Sequence, residues 1–323
     1  MAYTTIDNPE LFFQTLLHVG NNTSFTFAGS ENMQPDLIWN KNRDSSGYDH
    51  HAIDSVRGVS KLLRVSSNIA EFTSSDSITA IGSDGFTVGA DSNGYVSSGT
   101  DKQVSWCWKE STTAGFDIVT YAGDGVAGRN ISHSLGAKPH WMIVKNRSSS
   151  VKWAVYHEKN TSAPGTDHLQ LNSDAATSDD DSTWDDTEPT SSVFRVKSST
   201  STNGSSANYI AYLWTPIQGF SKFGSYTANG NADGVFVYTG FRPSFLMTKL
   251  TSHSGGGWEI VDSKRDGYNG ENNRLYPNDG SAEGTGNDYD LLSNGFKVRQ
   301  SGGSQQSGRT NIYMAFAESP FVN

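Results

Sequence analysis

Three short stretches set the pattern of the chain: Gly85-Phe86-Thr87-Val88, Val193-Phe194-Arg195-Val196 and Gly295-Phe296-Lys297-Val298 alternate apolar and polar residues with a period of two. That period marks strands with one face in a core and the other toward water. A second set behaves differently. The segments DLIW (36–39), HWMIV (140–144) and SFLM (244–247) are apolar at successive positions, as strands covered on both faces are. Each follows a proline, at Pro35, Pro139 and Pro243, a residue whose missing N–H costs least at the first position of a strand. Between the runs lie loops rich in Gly, Asn, Asp and Ser, long enough to carry function. Helical periodicity is nearly absent. Only Asn8-Pro9-Glu10, an N-cap followed by proline and an acid, predicts a short helix over 9–15.

The patterns recur because the chain repeats itself. Pro35, Pro139 and Pro243, like Lys41, Lys145 and Lys249, stand at steps of 104 (139 − 35 and 243 − 139). Asp54, His157 and Asp262 follow the next strand of each unit, and each unit closes on an aromatic strand, SWCWK, YIAYLW or NIYMAFA. The reading is an all-β chain of three tandem β-sandwich units, residues 12–112, 113–218 and 219–323, after an N-terminal segment of residues 1–11. A period of this length exceeds the roughly 20 to 45 residues of a solenoid repeat. Each unit is therefore expected to own its core, as beads on a string do. Positions shared by all three units are expected to serve the fold, and function to reside in what is unique.

Composition narrows the function classes. Charged residues make up only 18% of the chain, and a net charge of −10 with a pI near 5.2 disfavours partners such as nucleic acid and anionic membrane. The one cysteine, Cys107, lies between Trp106 and Trp108 in a closing strand and reads as a core side chain. The chain has no nucleophile elbow, phosphate-binding loop, dinucleotide fingerprint or zinc spacing. No catalytic residue, metal site or cofactor is expected. The pair His50-His51 reads as part of a polar loop. The densest charge is Asp179-Asp180-Asp181 with Asp185, Asp186 and Glu188, flanking Trp184. Oxygen-rich loops of this kind can hold calcium, with a tryptophan offering a flat face to a sugar. The spacing misses the EF-hand pattern, and a solvated turn is the expectation.

Several phrases carry a family resemblance. The opening MAYTTIDNPELFFQTLLHVGN, then QPDLIWNKNRDSSG, DSVRGVSKLLRVSSN and SDGFTVG followed by SWCWK, and FDIVTYAGDG, HSLGAKPHWMIVKNR, WAVYHE and YIAYLW closely resemble repeat proteins encoded by marine bacteriophages. The third unit resembles them more loosely, because FRPSFLMTKL lacks the Asn-Arg ending and VDSKRDG only approximates DSVRG. The resemblance implies concanavalin-like or SPRY-like sandwiches in a virion structural protein, assembled in the host bacterial cytoplasm. It offers no catalytic residues.

The function it implies is that of a tail-fibre or host-attachment component, whose partners are other phage structural proteins of tail or capsid, further copies of the chain, and a host cell-surface glycan or protein. A capsid decoration protein is the alternative, favoured by modest length and by the lack of a heptad run. A glycan-binding lectin or depolymerase is the third. On this reading Pro9, Leu11, Phe12 and Phe13 are candidates for docking on the particle. Trp184 and Asp185 of the second unit, with Tyr268, Tyr276 and Tyr289 of the third, are candidates for host or ligand contact, since tyrosine among Asn, Gly and Ser suits adaptable recognition surfaces.

Overall fold

The structure, a computed structural model, describes residues 4–265 and 269–317. The first unit runs through β1 (Phe13–His18), β2 (Thr23–Phe25), β3 (Leu37–Asn42), β4 (His51–Asp54), β5 (Lys61–Arg64), β6 (Phe72–Thr73), β7 (Ile78–Ile81), β8 (Phe86–Val88) and β9 (Gln103–Trp108). The second runs through β10 (Phe116–Ala122), β11 (Arg129–Ser132), β12 (Trp141–Asn146), β13 (Ala154–His157), β14 (Asp167–Gln170), β15 (Ser178–Asp179), β16 (Val193–Val196) and β17 (Asn208–Trp214). The third runs through β18 (Ser221–Thr227), β19 (Phe236–Tyr238), β20 (Pro243–Leu250), β21 (Trp258–Asp262), β22 (Asn272–Arg274), β23 (Gly284–Gly286), β24 (Tyr289–Leu292), β25 (Gly295–Val298) and β26 (Thr310–Ala317). The chain is all-β, and its strand pairs are antiparallel.

One strand order recurs in the large sheets. They read β1-β9-β3-β4-β5-β6, β10-β17-β12-β13-β14-β15 and β18-β26-β20-β21, so the closing aromatic strand always enters between the first and third strands. Smaller sheets, β2-β8-β7, β11-β16 and β19-β25-β24, contain the Phe-x-Val strands. Their middle residues Thr87, Arg195 and Lys297 are half-exposed while Phe and Val are buried. The predicted helix shrinks to a 3-10 turn, Pro9–Leu11, whose first free N–H, that of Glu10, is capped by Asn8 Oδ1 at 3.0 Å. From Phe13 onward the chain pairs with β9, because that places the Phe13 ring 5.0 Å from both Trp108 and Phe316.

β3, β12 and β20 are buried at every position. Successive side chains point to opposite faces of a sheet, and here both faces are covered by different parts of the molecule. Ile38, Met142 and Leu246 turn toward the small sheet of their own unit. Trp39, Ile143 and Met247 turn the other way, into one cluster drawn from all three units. The units are not beads on a string: each owns half of its core and shares the other half.

The shared half is aromatic. Trp108, Trp214 and Phe316 occupy one register position, opposite Leu37, Trp141 and Phe245. The Trp108 ring lies edge-on to Trp214 at 6.1 Å and to Phe316 at 5.8 Å. Rings of this size dominate core energetics through the area they bury, so the closing strands of the three units converge on one another.

Lys41, Lys145 and Lys249 are wholly buried. Each ammonium donates to the carbonyl of the next residue, at 2.7 Å for Asn42, 2.8 Å for Asn146 and 2.5 Å for Leu250. Lys145 also reaches the Asn68 carbonyl of the first unit at 3.2 Å, and Lys249 the Ala175 carbonyl of the second at 2.9 Å. Lys41 lies in the field of Asp279 and Glu283 of the third. Burial pushes all three down to about 8, which leaves them charged near neutral pH. Indole N–H groups follow the same sense: Trp153 donates to Arg64 O at 3.0 Å and Trp258 to Gln170 O at 2.9 Å. Every unit is fastened to the one before it, and the first to the third, so the chain closes into a ring.

Two outcomes follow from the shared core. Residues 113–218 expressed alone would expose Trp141, Trp153 and Trp214 to water; far-UV circular dichroism should show no cooperative unfolding, and a monomeric, cooperatively folded fragment would contradict the fold described. Lys145→Met leaves buried carbonyls unpaired and should lower stability in urea unfolding by about 3 kcal/mol, whereas a change below about 0.5 kcal/mol, the size typical of surface substitutions, would show the lysine to be incidental.

Candidate functional site

The ring has three seams, and two of them are built alike. Between the first and second units, Arg57 bonds Asp54 at 2.6 Å and Glu71 at 3.0 Å, and Arg147 closes on Glu71 at 2.8 and 3.1 Å. The Tyr212 hydroxyl donates to Asp54 at 2.6 Å. Between the third and first units, Arg265 bonds Asp262 at 2.6 Å and Glu283 at 2.9 Å, Arg43 closes on Glu283 at 2.8 and 2.9 Å, and the Trp106 indole donates to Asp262 at 2.9 Å. Arg57, Asp54, Arg265 and Asp262 have no exposed side-chain surface. Burial pushes the Glu71 carboxyl up, but bonds from Arg147 and Arg57 outweigh it and hold the group below its usual 4.5.

The third seam, between the second and third units, keeps the backbone of the other two and none of their charge. Thr177 N donates to Thr251 O at 2.9 Å, as Glu71 N does to Arg147 O and Glu283 N to Arg43 O. The side chains differ throughout. His157 holds the register position of Asp54 and Asp262, opposite Trp141 as they are opposite Leu37 and Phe245. Its imidazole is pushed down to about 3 by burial and is neutral, with Nε2 at 3.4 Å from Tyr313 O. Asn160 stands for the first arginine, Thr177 for the glutamate, Thr251 for the second arginine, and Met314 for the aromatic donor. Thr177 Oγ1 donates to Asn160 Oδ1 at 2.7 Å, a short neutral version of the ion pair.

These shorter side chains leave space. A cavity of about 650 Å³ opens along the seam, lined by Asn160, Asp167, Thr177 and Asp179 from the second unit and by Ser225 and Thr251 from the third. Asn160 is only 4% exposed, and its Nδ2 has no hydrogen-bond partner. Asp167 is buried, with Thr161 Oγ1 donating to it, and its backbone pairs with that of Asp179. None of Asn160, Thr177 and Thr251 was a candidate from sequence. The signal lay in the repeat itself, where Arg57 and Arg265 align with Asn160, and Arg43 and Arg147 with Thr251.

The candidates named from sequence lie elsewhere. Pro9 is buried, Leu11 is half-buried, Phe12 packs on Phe220 at 6.2 Å, and Phe13 sits in the shared core. The apolar surfaces of Pro9 and Phe13 are buried and not free for docking, while Leu11 and Phe12 keep part of theirs exposed. Trp184 is 1% exposed and edge-on to Tyr156 at 6.1 Å, so it offers no flat face to a sugar. Asp185 is paired with Arg195 at 2.7 Å, Asp181 with Lys197 at 2.6 Å, and Glu188 with Lys138. Three of the six acids of the run are thus paired with basic side chains outside it, and among the described residues no group of three or more His, Cys, Asp and Glu is arranged to hold a metal. Tyr289 is buried with its hydroxyl 3.0 Å from that of Thr248, which removes it as a contact residue. Tyr276 is half-buried beneath the Arg274 guanidinium at 6.0 Å. Tyr268 lies outside the described residues. His50 and His51 are buried rather than in a polar loop: His50 Nδ1 accepts from the Trp39 indole at 3.0 Å, and His51 packs against Tyr95 at 5.1 Å.

The chain belongs to a family described as a domain of unknown function, DUF7483, whose model matches residues 8–320. One family model thus spans all three units and both kinds of seam. No curated protein and no solved structure matches the chain.

The ionic seams make a pH prediction. Because the folded Glu71 carboxyl is held below 4.5, its contribution is fully present above that value and is lost as pH falls through the folded pKa. Glu71→Ala also strips a partner from the buried Arg57, so it should cost about 3 to 5 kcal/mol near neutral pH. In urea unfolding the gap between wild type and variant should narrow as pH falls below 4.5; a gap independent of pH would contradict the ionic role.

Proposed function

We propose that this chain is a non-catalytic surface protein of a bacteriophage particle, whose work is to bind. The observation that carries this reading is the departure of one seam from the other two. A scaffold locked by two buried ionic relays opens a cavity at the third, where hydroxyl, amide and carboxylate groups stand together. Loops and clefts on a rigid frame are where recognition is usually built. The resemblance of the first two units to virion repeat proteins of marine phages supports the phage setting. In that setting the partners are the other structural proteins of tail or capsid and, for a host-attachment component, a host cell-surface glycan or protein.

A second reading, a knob-like decoration protein on the capsid shell, is favoured by the shared core. Three units folded around one cluster make a knob more readily than an extended fibre. Immunogold labelling of intact particles separates the two. Gold at the tail is the result expected of host attachment, and gold spread over the head selects decoration. Particles that carry no label at either place overturn the surface reading.

A further inference from the structure

The cavity at the third seam has a chemistry of its own. Six hydroxyl side chains line it, Thr161, Thr177, Ser225, Thr251, Ser252 and Thr310, together with the carboxylates of Asp167 and Asp179, the Asn160 amide and the Lys159 ammonium. Among the described residues no aromatic or large aliphatic side chain reaches it. At about 650 Å³ it falls among small-molecule sites, which run from roughly 300 to 1,000 Å³.

Two features point to an occupant. Asn160 lines the cavity and is buried, its Oδ1 is taken by Thr177, and its Nδ2 donor has no hydrogen-bond partner. A buried donor without an acceptor carries a desolvation cost that a ligand oxygen removes. The carboxylates beside it ask for the opposite, donors from the ligand. No ring or large aliphatic side chain offers an apolar ligand a wall, an anion meets two aspartates as well as Lys159, and among the described residues no group of three or more His, Cys, Asp and Glu is arranged to hold a cation. A ligand whose neighbouring groups both donate and accept satisfies every requirement at once.

We propose that the seam between the second and third units is a saccharide subsite. Asn160 Nδ2 donates to a sugar oxygen, Asp167 and Asp179 accept from sugar hydroxyls, and the Ser and Thr hydroxyls complete the contacts from both units. The proposal deepens the surface-binding reading and rests on it for its biological purpose alone.

Saturation-transfer NMR on the full chain tests it, with glucose, galactose, fucose, N-acetylglucosamine and glucuronate as separate probes, and with calcium and inorganic phosphate titrated in parallel. Wild type should transfer saturation to at least one sugar. Asn160→Asp, which exchanges the donor for an acceptor of the same shape, should weaken that sugar by about tenfold. Ser225→Trp, at an exposed position of β18, should fill the cavity from its rim and abolish binding without touching the core. No transfer to any sugar overturns the proposal, as does transfer that survives Ser225→Trp, or binding of calcium or phosphate alone. Failure here with labelled particles leaves the surface reading standing; sugar binding with unlabelled particles removes that reading and keeps the subsite.

Discussion

A strand that is apolar on both faces has to be covered twice, and this requirement organises the whole chain. A single sandwich of this size covers one face of its large sheet with its own small sheet. The other face, carrying Trp108, Trp214 or Phe316 with their neighbours, is left for something else to cover. Three such faces cover each other. The repeated proline-led strand and the closing aromatic strand are therefore parts of a ring, and neither side of the sheet is free surface. The buried lysines belong to the same logic. An ammonium removed from water needs several acceptors, and Lys145 and Lys249 find theirs partly in their own turn and partly in the preceding unit.

The seams show how buried charge constrains sequence. Removing one member of a buried ion pair leaves the other uncompensated, at a cost larger than that of losing both together. A seam can thus change only as a set. That is what the third seam displays, where two arginines, a glutamate, an aspartate and an aromatic donor have given way to Asn160, Thr251, Thr177, His157 and Met314. The two matching relays serve as internal references for the seam that differs. Because the backbone bond between Thr177 and Thr251 persists, the lost side-chain volume appears as a cavity rather than as collapse of the seam.

Much of the fold was legible in the sequence. Period-two alternation marks Phe86, Phe194 and Phe296 as half-buried strands, and continuous apolar runs mark β3, β12 and β20 as doubly covered. Association of the units was not legible, since periodicity says that a face is buried and not what buries it. The same limit misdirected the site. Phe13, Trp184 and Tyr289 attract attention as aromatic residues in unique segments, yet aromatic rings in a chain of this kind are drawn into cores first. The residues that line the seam cavity are small and polar, and only comparison between the units distinguishes Asn160 and Thr177 from ordinary loop residues. Asp179, from the acidic run, is the one residue of that run that lines the cavity.

Three units that share one core form one cooperative body, and native-state hydrogen exchange reads this strand by strand. If the core is shared, the central amides of β9, β17 and β26 open only on global unfolding and report one common free energy. Three distinct levels of protection, one for each unit, would show that the units unfold separately and would contradict the ring.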